Sequence, residues 1–99
     1  MSSMVIVTFD LEDASSSDYR HVRDGLEAIG LTNYAVRYLD RKAIPLPFNT
    51  FAREFPSEDP EWVRNVFAEQ IREVFRNCKV SGPIFVGVGV DWAWVRYEV

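Results

Sequence analysis

The stretch VIVTFDLED, residues 5–13, decides how the fold of this chain is organised. Its odd positions from Val5 to Phe9 face one side of an extended strand, and Ile6 and Thr8 face the other. Because both sides are largely apolar, we expect a central strand that is covered on both faces or paired at both edges. Such a strand needs further strands beside it and helices above it.

The same stretch ends in three acids, Asp10, Glu12 and Asp13, within four positions. Two interpretations follow. Carboxylates at the end of a strand suit a hard divalent cation, which prefers oxygen ligands. Acids after a strand also commonly cap a turn or lie in a solvated loop. Glu12 shares the side of Asp10 only if the strand continues past Leu11.

Two amphipathic helices follow from the apolar spacing. In the first, Ser17 or Asp18 is the expected N-cap and Gly30 the left-handed end. Its apolar stripe has spacings of three and four and comprises Tyr19, Val22, Leu26 and Ile29. The second helix starts with Asp59 as the cap and Pro60 as the first helical residue. Its stripe comprises Val63, Val66, Phe67, Ile71, Val74, Phe75 and Cys78.

The remaining segments predict strands. Residues 34–39 and 48–55 have β character, and the proline-containing residues 41–47 between them are expected to form a loop or a bulged edge. Residues 84–90 form another strand, and the tail DWAWVRYEV, residues 91–99, either continues it past a bend or adds a short fifth strand. The order β-α-β-β-α-β predicts an α+β, ferredoxin-like fold with an antiparallel sheet and both helices on one face.

Composition narrows the class of protein. Ninety-nine residues predict a single domain over 1–99. The single cysteine, Cys78, and the single histidine, His21, exclude an internal disulfide framework, a cysteine zinc site and a two-histidine metal site within one chain. We expect Cys78 to be a small buried apolar residue and His21 to lie on the surface. No signal peptide and no membrane span are expected, which predicts a cytoplasmic protein.

A strand of alternating aliphatic residues that ends in aromatic-Asp, followed by β-α-β-β-α-β within about 100 residues, resembles the CRISPR-adaptation proteins of the Cas-two type. It is also similar to their relatives, including virulence-associated protein D. The resemblance implies a homodimer in which an Asp at the end of the first strand faces its mate across the dimer axis. Some members of this group are metal-dependent nucleases, and others are non-catalytic dimers that hold duplex DNA.

Asp10 is the one residue of this chain that matches a functional residue of the group. The resemblance implies that it is a catalytic residue and a ligand of Mg²⁺ or Mn²⁺. Two carboxylates across a dimer axis would hold one ion, and that ion would activate water for phosphodiester cleavage. The family pattern has Ser or Arg near the second and third strands, where Arg37 and Arg53 are the nearest matches. This chain departs from the group in its net charge of −4 and its aromatic tail, which disfavours nucleic acid as a partner.

The residues support a second hypothesis of another class, a non-enzymatic module that binds a protein partner, as regulators and phage-borne inhibitors do. Trp92 and Trp94 share a face, and tryptophan is enriched in interfaces. With Arg37 and Arg53 they are the predicted partner-binding residues. The two rings have a structural alternative, in which the tail lays them over the end of the sheet to close the core.

Overall fold

The order of elements confirms the predicted α+β, ferredoxin-like plan, with one additional short strand. The computed structural model describes residues 2–37, 40–94 and 96. Along the chain the elements are β1 (Ser3–Phe9), α1 (Ser16–Ala28), β2 (Tyr34–Val36), β3 (Ala43–Pro45), β4 (Thr50–Phe55), α2 (Pro60–Cys78) and β5 (Ile84–Val90).

β1 is the central strand of a three-stranded antiparallel sheet with the order β4-β1-β5. Val5 is opposite Arg53 of β4 and Val88 of β5, and the register continues without a bulge to Phe9 and Ile84. Of the two arrangements that the sequence allowed, the structure has pairing at both edges. One face of β1 is buried, whereas Ile6 on the other face is 44% exposed.

One hydrophobic core lies between the sheet and the two helices. Alternate residues of the strands point into it, and each helix contributes its predicted apolar stripe, except that Val66 of α2 is not among the core residues. Its buried members are Val5, Val7, Phe9, Val22, Leu26, Leu31, Phe51, Val63, Phe67, Ile71 and Phe75. Both helices therefore cover the same face of the sheet, as the fold class requires.

The start of α1 differs from the prediction. Ser15 is the N-cap: its Oγ accepts a hydrogen bond from the Asp18 amide at 3.1 Å, and Asp18 Oδ2 accepts one from the Ser15 amide at 3.0 Å. This reciprocal capping box needs an acid three residues after the cap, and only Ser15 of the three serines has one. The predicted end is confirmed, since Gly30 has φ +89°.

α2 begins as predicted. Asp59 is the N-cap, its carboxylate accepts from the Trp62 amide at 3.1 Å, and Pro60 is the first helical residue. The exposed side carries the expected i,i+3 ion pairs, Glu69 with Arg72 and Glu73 with Arg76. Lys79 ends the helix in a left-handed conformation with φ 56°.

The segment between α1 and β4 contains a hairpin where a loop or bulged edge was predicted. β2 is shorter than predicted, and residues 38 and 39 of that expected strand lie outside the described residues. β3 falls within the predicted loop and pairs with β2 as a separate two-stranded sheet. The main sheet meets this segment through the backbone pair of Thr32 and Ala52. Next to this pair, the Asn33 side-chain amide donates a hydrogen bond to the Thr50 carbonyl at 2.6 Å.

β5 ends at Val90 because Asp91 adopts a left-handed conformation with φ 51°. The described part of the tail follows neither predicted path, because the chain bends at Asp91 and the strand does not continue beyond it. Residues 92–94 and 96 add no strand, and the rest of the expected fifth strand lies outside the described residues. Among the helices of the described chain, neither is long and apolar enough to cross a membrane.

Candidate functional site on the helix-free face

The face of the sheet away from the helices is formed by alternate residues of the three main strands. The register places them in rows across the sheet, so that Ile6 lies between Ala52 and Gly87, and Met4 lies between Glu54 and Gly89. We call this surface the helix-free face and define it by Met4, Ile6, Thr8, Thr50, Ala52, Glu54, Phe85, Gly87 and Gly89. The row of Ala52, Ile6 and Gly87 is apolar, and the small residues on either side of Ile6 leave a shallow floor.

An apolar cleft of about 480 Å³ lies on this face. The β2–β3 hairpin forms one wall with Ala35, Leu46 and Pro47. The tail forms the opposite wall, to which Trp92 and Trp94 contribute. A volume of this size and a mostly apolar lining are typical of binding clefts.

Both predicted tryptophans line this cleft and are half-buried. The Trp92 Nε1–H donates to Ser2 Oγ at 3.4 Å, which holds the tail against the start of β1. The left-handed turn at Asp91 directs the tail over the sheet. The rings thus line the cleft on the helix-free face and take no part in the core beneath the helices.

The two glycines of β5 differ in their surroundings. A Cβ on Gly87 would lie 3.3 Å from the Phe85 ring, so the ring occupies the place of the missing side chain. A Cβ on Gly89 would meet no atom of the described residues within 4 Å, and its φ is not positive. Glycine in a strand costs stability relative to residues with a side chain. Packing within the chain therefore gives no reason for glycine at position 89.

Arg53 faces the helix side of the sheet, at the edge strand β4. Its Nη1 donates to the Ile29 carbonyl at 3.0 Å, at the negative end of the α1 dipole. Its guanidinium carbon lies 5.1 Å from the centre of the Phe55 ring and 5.4 Å from that of Phe67. These contacts join the end of α1 to the sheet and to α2, so Arg53 has a structural role in addition to its predicted one.

A second cleft of about 300 Å³ at the edge of β4 brings three of the four predicted partner-binding residues together. It is lined by Arg53, Trp92 and Trp94. Arg37 lies apart from both clefts, in the hairpin loop, where its Nε donates to Asp40 Oδ1 at 3.0 Å. That hydrogen bond, with a further one from the Lys42 amide, lowers the pKa of the exposed Asp40 to about 2.

Asp10 is exposed just beyond the end of β1. Its backbone is held firmly, because its amide donates to the Pro83 carbonyl at 3.1 Å and the Glu12 amide donates to the Ser81 carbonyl at 2.9 Å. Gly82 packs directly on the Asp10 carbonyl. Within the described residues, no group of three or more His, Cys, Asp or Glu side chains is placed to hold a metal ion. The described residues of one chain therefore do not supply three such ligands around Asp10.

His21 and Cys78 were given no functional role from the sequence. His21 was predicted to lie on the surface and Cys78 to be buried. His21 is exposed on α1. Cys78 is half-buried at the end of α2, and this burial, together with the nearby Asp18, raises the pKa of its thiol.

Sequence reasoning missed Ile6, Ala52, Ala35 and Leu46 as site residues. The apolar second side of β1 was a signal for this face, but the sequence did not show what covers it. Comparison of the chain with family models, curated proteins and solved structures gives no match. The resemblance to the Cas-two type stays a prediction based on topology and Asp10.

Proposed function

We propose that this protein is a non-enzymatic interaction module that binds a second copy of itself through the helix-free face. The observation that carries the proposal is the exposed apolar surface on the central strand: Ile6 is 44% exposed although β1 is paired at both edges. Burial of such a surface is the main driving force of stable association.

The face is also self-complementary. Phe85 protrudes from it with 67% of its surface exposed, and the 480 Å³ cleft lies on the same face. A twofold interface uses the same patch on both subunits, so each copy must present both a projection and a recess. The unoccupied space above Gly89 widens the recess without any need from packing within the chain.

The test is the mass of the protein in solution, measured by sedimentation equilibrium for the wild type and Gly89→Lys. A Cβ at this position meets no atom within 4 Å among the described residues, and position 89 lies in an open cleft, so the fold is expected to persist. Its charge would be buried unpaired in the dimer, which we expect to weaken association at least tenfold, since such burial costs several kcal/mol.

Gln70→Lys is the matched control, because it adds the same charge on the exposed side of α2. We expect it to remain dimeric. A wild-type protein that is monomeric at millimolar concentration would overturn the proposal, as would a Gly89→Lys variant that associates as tightly as the wild type.

A metal-dependent nuclease is the second candidate, favoured by the exposure and rigid backbone of Asp10 at the end of the central strand. In this candidate, as the resemblance implies, two copies each contribute Asp10 to one ion. We expect Mg²⁺ or Mn²⁺ to raise the melting temperature of the wild type if this candidate holds, and the effect to vanish in Asp10→Asn. Indifference of the wild type to both ions would rule out the metal site and leave the interaction module standing.

A further inference from the structure

A second large cleft, of about 450 Å³, lies away from the helix-free face, between α1 and the turn that precedes β4. Its floor is aromatic: Phe9 and Phe51 are stacked with ring centroids 6.0 Å apart. Its rim carries Tyr19 of α1 and Phe48 of the turn, whose ring centroids are 5.4 Å apart. The cleft thus presents aromatic surface at two levels.

The turn that carries Phe48 is closed and rigid. The Thr50 amide donates to the Pro47 carbonyl at 3.0 Å, and Asn49 adopts a left-handed conformation with φ 66°. Asn33 anchors the turn from the other side, since its Nδ2 donates to the Pro47 carbonyl at 3.2 Å and to the Thr50 carbonyl at 2.6 Å. Nevertheless the Phe48 side chain is 76% exposed. A preformed turn holding an exposed ring lowers the entropic cost of binding another ring.

The cleft is positively charged, whereas the chain as a whole has a net charge of −4. Arg20 and Arg23 line the cleft, and no acidic residue of the described chain does, although the sequence has 15 acidic and 11 basic residues other than histidine. In the described part of the chain, Arg37, Arg72 and Arg76 form ion pairs with acids three positions away. Arg20 and Arg23 form none there. Two guanidinium groups one helical turn apart are well suited to an anionic group.

We propose that this cleft binds a small molecule in which a planar aromatic ring carries an anionic group, a phosphate or a carboxylate. The ring would lie against Phe48 and Tyr19, and the anion would accept hydrogen bonds from Arg20 and Arg23. A cleft of 450 Å³ is within the range that small-molecule sites occupy. This site is separate from the helix-free face and does not depend on the proposed self-association.

The test is a titration followed by two-dimensional NMR, with four probes. Phenyl phosphate and phenylacetate carry both a ring and an anion, inorganic phosphate carries only the anion, and benzyl alcohol carries only the ring. We expect at least one of the two combined probes to bind about tenfold more tightly than either partial probe, since each group adds its own contact. The amide shifts are expected to change in residues 14–23 and 47–51. Comparison of the two combined probes distinguishes a phosphate ligand from a carboxylate ligand.

The variants Arg20→Gln and Arg23→Gln remove the charges from exposed positions, so the fold is expected to persist. Each should weaken the better combined probe about tenfold, the usual effect of losing a hydrogen bond to a charged group. Arg72→Gln, on the exposed side of α2, is the control and should leave the affinity unchanged. Equal losses in all three variants would overturn the proposal.

Three further results would also overturn it. Inorganic phosphate that binds as well as the combined probes would show that the rings do not contribute. Benzyl alcohol that binds as well as the combined probes would show that the arginines do not contribute. Failure of every probe at millimolar concentration would show that the cleft is not a site for this chemistry. Gly89→Lys should retain the binding, which keeps this test independent of the dimer.

Discussion

Replacement of Phe67 by alanine is expected to lower the free energy of unfolding by about 3–5 kcal/mol. The Phe67 side chain is 2% exposed and lies at the centre of the buried stripe of α2. Its ring meets the Phe55 ring edge-on with centroids 5.5 Å apart and contacts the Arg53 guanidinium. Alanine would remove these contacts and leave a cavity. The surrounding helix and sheet are closely packed and can relax into that cavity only in part.

Urea unfolding followed by circular dichroism measures this loss, and Phe48→Ala is the matched control. The same substitution there removes a ring that is 76% exposed, so we expect a loss below about 1 kcal/mol. Similar losses in the two variants would contradict the placement of Phe67 in the core. Since domains of this size are stable by about 5–15 kcal/mol, the Phe67 variant should be studied at low temperature.

Replacement of Gly82 by alanine is expected to destabilise the protein by about 2–4 kcal/mol, from backbone strain and lost hydrogen bonds. Gly82 has φ +149°, which residues with a side chain rarely adopt. A Cβ at this position would fall only 1.8 Å from the Asp10 carbonyl oxygen. Either residues 81–83 or residues 10–12 must then move, and the hydrogen bonds between them would be lost.

Gly89→Ala is the internal comparison for this prediction, because its new Cβ enters free space at an ordinary φ. We expect that variant to be as stable as the wild type or more stable by about 0.5–1 kcal/mol. Urea unfolding gives both values, and the amide NMR shifts of Asp10 and Glu12 report the local movement. A Gly82→Ala variant that is as stable as the wild type would show that the segment after β1 is not held against residues 81–83.

The sequence predicted those elements whose signals are local. Asp59 and Pro60 are sufficient to mark the start of α2. The apolar residues that follow lie on one face of the helix, so the buried face can be predicted as well. Gly30 marks the end of α1 in the same way, because a left-handed position selects glycine. The capping box of Ser15 and Asp18 was also local, and its spacing of three would have identified the correct cap.

The hairpin of β2 and β3 was only partly predictable. Pro45 and Pro47 correctly excluded a central strand, since proline has no backbone N–H to donate to a neighbouring strand. They did not exclude a short strand that pairs at one edge outside the main sheet, and β3 is such a strand. In the structure the Asn33 side chain donates to the Thr50 carbonyl at the start of β4, a contact between residues 17 apart that local signals do not reveal.

The sites depend on contacts between residues distant in the sequence. Arg53 is predicted by its strand to face one side of the sheet, but only the fold brings the Ile29 carbonyl within 3.0 Å of it. Register across three strands places Ala52, Ile6 and Gly87 in one row. The packing of α1 against the turn before β4 places Arg20 and Arg23 beside Phe48.

By itself, therefore, the sequence determined the order of the elements apart from β3, the faces of the two helices and the central position of β1. Periodicity and caps act over a few residues and remain visible in any context. Only the tertiary structure decided which surfaces stay uncovered and which charges meet which rings. Those outcomes depend on register and on the packing of elements that are 20 or more residues apart in the sequence, as Arg53 and Ile29 are, with a separation of 24.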